Sequence, residues 1–302
     1  MEQIEQLNQI CTRYGCPLLL DEPLCSYTTF RIGGKCKALV EADYTDMIID
    51  VIRFCNENNI RWTVLGNGSN VLVSDEGFDG VVILLGKKYS RVVYCPNNQL
   101  YFQAGALLMT AAKTALEQSF TGMECLAGIP GTIGGALYMN AGAYGSEMAD
   151  VVVSADYIDE DGCLKTVSAE DMELSYRHSM FSGTKRVITG VRLQLREGSY
   201  DEIKEKMDEC LRQRRAKQPL ELPSAGSTFK RPAGSYASML IDQCGLKGAS
   251  VGDAQVSIKH AGFVVNTGKA TCRDVMELCD YVIETVKEKT GYRLELEPVV
   301  LK

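Results

Sequence analysis

The run Gly128 to Gly145, GIPGTIGGALYMNAGAYG, constrains this chain more than any other stretch. Its six glycines, at 128, 131, 134, 135, 142 and 145, are interleaved with Ala136, Ala141 and Ala143, so half of its residues carry a methyl group or less. Another surface can therefore come close to its backbone. Pro130 suits a first helical position, which predicts a short helix over 132–140 with unpaired N–H groups at its start, where an anion would be stabilised. A tight packing seam between helices has the same composition.

A second glycine loop, Gly66-Asn67-Gly68-Ser69-Asn70, lies between the apolar runs 60–65 and 71–73. It lacks the third glycine of the G-x-G-x-x-G dinucleotide fingerprint, and Val71-Leu72-Val73 reads as a strand where that fingerprint needs a helix. The loop's successive N–H groups, with Ser69 and Asn70, fit a nest for a pyrophosphate, although a hairpin turn uses the same letters. Two such loops in one chain strengthen the nest reading.

An anion here must be held by local cations, because 32 Lys and Arg against 39 Asp and Glu leave a net charge of -7. That balance argues against a nucleic-acid binder or a partner of anionic membranes. No stretch approaches the ~20 apolar residues of a membrane span. The first residues carry acids and no apolar core of a signal peptide, while Ile4, Leu7, Ile10 and Tyr14 share one helical face. The 12 cysteines include no C-x-x-C pair, so reduced thiols in a cytoplasmic protein are expected. With His178 and His260 as the only histidines, no metal site is expected.

Periodicity predicts an α+β chain with strands running together and helices inserted, not a regular βαβ repeat. Strands are expected at 27–32, 38–41, 60–65, 81–85, 91–95, 100–104, 151–158, 164–167, 187–195, 261–266 and 294–300. Helices are expected at 45–58 with Thr45 as the cap, and at 107–119, 200–215, 236–244 and 271–290. Pro96-Asn97-Asn98 and Asp159-Glu160-Asp161-Gly162 read as hairpin turns.

Four clusters carry polar chemistry outside the glycine loops. Tyr176-Arg177 sits in a Ser/His-flanked stretch, and Arg212, Arg214, Arg215 and Lys217 close a helix, where a solvated basic terminus is the plain reading. Gly226-Ser227-Thr228-Phe229-Lys230-Arg231 brings glycine, hydroxyls and cations together. In Leu294-Glu295-Leu296-Glu297-Pro298, strand alternation would put both carboxylates on one face.

In their order along the chain, these clusters and loops, with Thr28-Thr29-Phe30-Arg31-Ile32-Gly33-Gly34 and His260-Ala261-Gly262-Phe263, closely resemble the UDP-N-acetylenolpyruvoylglucosamine reductases of peptidoglycan synthesis, in their shorter class. The resemblance implies a vanillyl-alcohol-oxidase/PCMH-type FAD-binding domain over 27–197 after a helical lead-in at 1–26, then a smaller α/β substrate domain over 198–302. It implies non-covalent FAD held by Gly66, Asn67, Gly68, Ser69 and Asn70 and by Gly128, Ile129, Pro130, Gly131 and Thr132, with Gly134, Gly135, Asn140, Ala141 and Gly142. Cys125 is the nearby thiol to consider for covalent attachment, and is expected to be a small buried residue instead.

The implied reaction has two halves at one flavin: NADPH reduces FAD, and hydride then passes to the terminal carbon of an enolpyruvyl ether on a UDP-sugar. By resemblance Arg177 meets the negative charge that develops, Glu297 assists, and Ser227 protonates the second carbon. Tyr176, Lys217, Lys230 and Arg231 are then substrate-binding residues, Lys217 matching a lysine on the UDP diphosphate. A monomer acting on a small molecule is expected. Two departures stand out. Arg231 replaces a common asparagine, and Pro298 directly follows Glu297, so Glu295 stays an alternative to Glu297. A flavin oxidoreductase with another substrate and an inactive flavin-binding regulator are the competing readings.

Overall fold

The computed structural model describes residues 2–302. Its helices are α1 (Glu2–Arg13), α2 (Thr45–Glu57), α3 (Leu108–Glu117), α4 (Ile133–Tyr138), α5 (Tyr200–Lys217), α6 (Ala237–Gln243) and α7 (Cys272–Thr290). Two compact units share the chain, and they interleave along it. The first holds the chain through Leu20, Ala38–Asn67 and Gly80–Arg214; the second holds Asp21–Lys37, Gly68–Asp79 and Arg215–Lys302. The Thr28-to-Gly34 motif and Gly68-Ser69-Asn70 thus belong to the same unit as Ser227 and the terminal glutamates, whereas a linear reading separates them.

The first unit is built on a five-stranded antiparallel sheet in the order Leu164–Ser168, Val152–Ile158, Val187–Gln194, Gln99–Gln103, Val92–Cys95. Its two outer hairpins follow their turn residues. In the three-residue turn 96–98, Asn97 and Asn98 both take left-handed backbone, which asparagine tolerates better than most residues. Asp159 accepts from the N–H groups of Asp161 and Cys163 (3.0 and 2.8 Å), closing the other turn. A parallel pair, Trp62–Leu65 against Phe78–Leu84, leads into the first glycine loop. Helix α2 buries Met47, Ile48, Val51, Ile52 and Cys55 in the core of this unit. Thr45 does not cap it: Tyr44 is the N-cap, and the Thr45 hydroxyl bonds the buried Tyr89 phenol at 2.7 Å.

The second unit packs α6 and α7 on a three-stranded antiparallel sheet of Ser250–Val251, Ala254–Val256 and Val264–Asn266. Its parallel pair, Val71–Val73 with Val299–Leu301, joins the end of the glycine loop to the end of the chain. Helix α7 starts from a capping box in which Thr271 accepts from Asp274 N–H and Asp274 accepts from Thr271 N–H. Asp75, almost 200 positions away, accepts from the N–H groups of Cys272 (2.7 Å) and Arg273 (3.0 Å). These are charge-assisted bonds at the positive end of the helix. Asp75→Ala is expected to lower stability by about 1–2 kcal/mol, read as a lower urea midpoint at unchanged slope; an unchanged midpoint would show that water replaces the carboxylate.

Three predicted strands differ. Leu24–Tyr27 is a 3-10 turn and 28–32 is irregular, with Arg31 in left-handed backbone, so 27–32 forms no strand. Residues 294–300 are strand only from Val299, with one bridge from Leu296 to Phe229, because Pro298 has no N–H to continue a ladder. The strand expected at 261–266 begins at Val264, after a turn in which Phe263 N–H bonds the His260 carbonyl.

Candidate active site

In the first unit the two glycine loops lie against each other. A Cβ on Gly66 would stand 2.6 Å from Thr132 Oγ1, and Asn67 Nδ2 donates to the Pro130 carbonyl at 2.5 Å. The helix in the second loop starts later than Pro130 suggests. Thr132 is the N-cap of α4, its Oγ1 accepting from Gly135 N–H at 3.2 Å, and the N–H groups of Ile133 and Gly134 bond the carbonyls of Ala106 and Ala104 at 2.7 and 2.9 Å. These first-turn donors hold α4 onto residues 104–106. The expected anion site at the start of this helix is therefore filled by the protein's own carbonyls, and the loop backbone ahead of it is the part left for a ligand.

Asn140 ties the glycine segment to the predicted catalytic arginine. Fully buried, it donates from Nδ2 to the Ser175 carbonyl (3.1 Å) and accepts at Oδ1 from Ala149 N–H (2.9 Å). The Tyr138 carbonyl accepts from the Ser179 and Ser182 hydroxyls at 2.6 and 3.0 Å. Between these anchors Ser175 and His178 exchange backbone hydrogen bonds, closing a tight turn with Tyr176 and Arg177 at its tip. Arg177 has φ +56°, a strained conformation for a non-glycine residue, and its guanidinium lies 5.0 Å above the Tyr176 ring. The turn presents both predicted side chains together on a tethered loop.

The basic end of α5 divides into different roles. Arg212 grips Glu209 through two 2.7 Å bonds, as a solvated helix terminus would, and Lys217 is exposed. Arg214 differs: its Cδ stands 2.9 Å from where a Gly128 Cβ would be. Burial pushes its guanidinium below the usual arginine range, with Tyr144 as the opposing influence, and among the described residues no carboxylate pairs with it. A cation so placed needs an anion. The sequence did hold this signal, since 203, 207, 210 and 214 form one helical stripe whose first three members are the buried Ile203, Met207 and Cys210. This arginine beside Gly128, at the start of the glycine segment, fits an anionic cofactor such as FAD. Cys125 is a small buried residue, as expected, with its Sγ 3.3 Å from Cys210 Sγ.

Glu124, next to it, is a buried carboxylate. Burial alone would raise its pKa, but the Thr121 hydroxyl, the Gly122 N–H and Lys206 outweigh burial and hold it below its ordinary value of 4.5. A depressed carboxyl contributes stability that is fully present above the unfolded value and is lost as pH falls through the folded one. Melting temperature should therefore drop below about pH 4.5 with a steeper acid limb than in Glu124→Gln; parallel limbs would remove Glu124 from the acid response.

In the second unit Gly68 has φ +59°, and a Cβ there would meet the Tyr27 carbonyl at 2.2 Å, so only glycine fits. Asn70 fixes the chain's end: its carbonyl accepts from Val299 N–H (2.9 Å) and its Nδ2 donates to the Glu297 carbonyl (3.3 Å). The segment from Ser227 to Lys230 runs antiparallel to Glu295–Glu297. Glu297 N–H bonds the Thr228 carbonyl at 3.0 Å, and Lys230 N–H bonds the Glu295 carbonyl at 2.8 Å. Ser227 and Glu297 thus lie at the same end of one ladder, each half-buried. Glu295 is exposed and pairs with Lys230 at 3.6 Å. Arg231 lies 4.5 Å above the Tyr236 ring. Among the described residues no group of three or more His, Cys, Asp or Glu could hold a metal ion, and no helix is long and apolar enough to cross a membrane.

Known proteins match both halves of the chain. Residues 36–168 match the FAD binding domain, and residues 218–301 match the UDP-N-acetylenolpyruvoylglucosamine reductase C-terminal domain. The reductase of Clostridium novyi is 46% identical over 272 residues, 90% of this chain and 88% of that protein. The reductase of Geobacillus kaustophilus is 44% identical and is covered to 99%. The crystal structure of the Thermus caldophilus reductase superposes with a TM-score of 0.80 at 36% identity, over 95% of this chain and 99% of that one. A berberine bridge enzyme variant shares the fold alone, at TM-score 0.51 and 17% identity, over 64% of this chain and 44% of that one. This chain belongs to the UDP-N-acetylenolpyruvoylglucosamine reductase family.

Proposed function

We propose that Arg177, Ser227 and Glu297 carry the family's reaction in this chain. The chain is an FAD-dependent oxidoreductase that reduces the enolpyruvyl ether of UDP-N-acetylglucosamine-enolpyruvate to UDP-N-acetylmuramate, with NADPH as hydride donor, in peptidoglycan synthesis. When bound, FAD supplies a two-electron carrier between NADPH and the enolpyruvyl double bond. Its holders are the backbone of Gly66–Asn70 and of Gly128–Thr132; Gly134, Gly135, Asn140 and Ala141, whose N–H groups are already bonded within the protein, and Gly142 shape the segment behind them. Arg214 adds a cation for its negative charge.

Addition of hydride to the terminal carbon pushes electron density toward the substrate carboxylate. Arg177, held on its tethered turn, offers a guanidinium to that charge without having to reorganise. Glu297 assists at the same carboxylate, and the Ser227 hydroxyl gives the proton to the second carbon. Hydride and proton together convert the double bond to a single bond. Tyr176, Lys217, Lys230 and Arg231 hold the substrate, the cations answering its diphosphate. In this reading the flavin is gripped mainly within 27–197 and the substrate within 198–302, and the enzyme works as a cytoplasmic monomer.

The observation that carries the assignment is the 3.0 Å bond from Glu297 N–H to the Thr228 carbonyl, which keeps the proposed proton donor and carboxyl on one ladder. The test combines cofactor release with turnover. Acid precipitation should leave FAD in the supernatant, and the holoenzyme should consume NADPH only when the UDP-linked enolpyruvyl sugar is present. A colourless protein that cannot be reconstituted, or NADPH consumption indifferent to that sugar, refutes the assignment; flavin retained in the pellet refutes the non-covalent link.

A further inference from the structure

Three successive turns of α5 rest on the residues that lead into the glycine segment. Lys206 reaches Glu124 at 3.6 Å, Cys210 Sγ lies 3.3 Å from Cys125 Sγ, and the Arg214 stem lies against Gly128. Lys206, Cys210 and Arg214 are four residues apart, so they line one face of the helix. The sulfurs sit in the middle of this contact, buried at 5% and 9% exposure. The reaction as derived above uses neither.

We propose that Cys125 and Cys210 form an oxidisable dithiol whose closure to a disulfide loosens the grip of the glycine segment on the cofactor. The effect on the cofactor rests on the FAD reading above; the dithiol itself does not. In the step a Cys thiolate attacks a peroxide oxygen, the O–O bond breaks, and a sulfenic acid and water result. The second thiol then attacks the sulfenic sulfur, the S–S bond forms and a second water leaves. Two thiols are oxidised, one peroxide is reduced, and the two thiol protons end in water. Contact between the sulfurs makes the second step intramolecular, so it outruns further oxidation of the sulfenic acid. Burial pushes the Cys210 thiol up to about 12, which keeps the thiolate scarce and makes the first step slow.

Closure draws the sulfurs from 3.3 Å toward the disulfide length of about 2.05 Å. One turn further along α5 the Arg214 stem lies against Gly128, where an added Cβ would stand 2.9 Å from its Cδ. Closure pulls α5 and the residues ahead of Gly128 together at the sulfurs, and the Arg214–Gly128 contact shifts with them, which weakens the grip offered to the cofactor.

The test treats the holoenzyme with hydrogen peroxide, blocks remaining thiols, and maps peptides by mass without reduction. The expected result is a peptide pair linked through Cys125 and Cys210, two hydrogens lighter than the free pair and split by dithiothreitol. The FAD dissociation constant should rise roughly tenfold in the oxidised form, about the worth of one weakened charge-assisted hydrogen bond. Cys210→Ala, or Cys125→Ala if the former folds poorly, should show neither change. Absence of the linked pair overturns the dithiol whatever the cofactor does. A linked pair with unchanged FAD affinity, or a loss of affinity that persists in the alanine variants, overturns the coupling. A reduced protein with no FAD affinity at all would instead refute the flavin reading, while the peptide map would still judge the dithiol.

Discussion

Ser227→Ala is expected to retain FAD and its reduction by NADPH, yet to slow reoxidation of the reduced enzyme by the enolpyruvyl substrate by about 10² to 10⁴, or roughly 3 to 5 kcal/mol in the barrier. The reasoning is local. Ser227 is half-buried, and its neighbour Thr228 is pinned on both sides: Thr228 N–H bonds the Gly262 carbonyl at 2.8 Å, and Thr228 Oγ1 accepts from Val264 N–H at 2.8 Å. The backbone at 227 therefore keeps its place when the hydroxyl is removed, and the loss reads out proton donation instead of folding. Stopped-flow absorbance under anaerobic conditions separates the two half-reactions. Reoxidation at the parent rate would remove Ser227 from the chemistry.

Glu297→Gln should slow the same half-reaction by orders of magnitude, and Glu295→Gln should change it little. The two carboxylates are unequal in the fold even though they are close in sequence. Glu295 is turned to solvent and answered by Lys230, a surface pair of small worth. Glu297 is half-buried, its N–H held by Thr228 and its carbonyl by Asn70, so its side chain leaves a fixed point of the backbone. Both glutamines keep the shape of the site, so flavin content should be equal in the two variants. The reverse ranking would move the role to Glu295, and small equal losses would take both out of the mechanism.

Much of this arrangement was legible in the residues themselves. Alternation and turn letters placed the hairpins around Asn97-Asn98 and Gly162, and the two glycine loops drew attention to a segment pair that does meet, at Gly66 and Thr132. The exceptions have physical causes. Thr28 to Ile32 has β-branched and aromatic letters, yet Arg31 turns left-handed and the segment packs as irregular chain, because tertiary contacts override local preference. Leu294 to Glu297 alternates like a strand, but Pro298 breaks the ladder. The interleaving of the two units depends on pairing between distant segments, such as Val71–Val73 with Val299–Leu301, which no local pattern encodes. Arg214 reads in the sequence as part of a solvated basic terminus, the usual state of such residues; only its position on the buried stripe distinguishes it from Arg212.

The central claim is that a hydride reaches the substrate through the flavin while this chain's own hydroxyl delivers the proton. It is tested most directly by running a single turnover of the NADPH-reduced holoenzyme in deuterated water and locating the label in the product. The account predicts deuterium at the second carbon, and at the terminal carbon as well to the extent that the exchangeable N–H of the reduced flavin has equilibrated with solvent, with product formation in Ser227→Ala slowed to match its reoxidation. Product without solvent deuterium at the second carbon, or label delivered to the second carbon by Ser227→Ala at the parent rate, would contradict it.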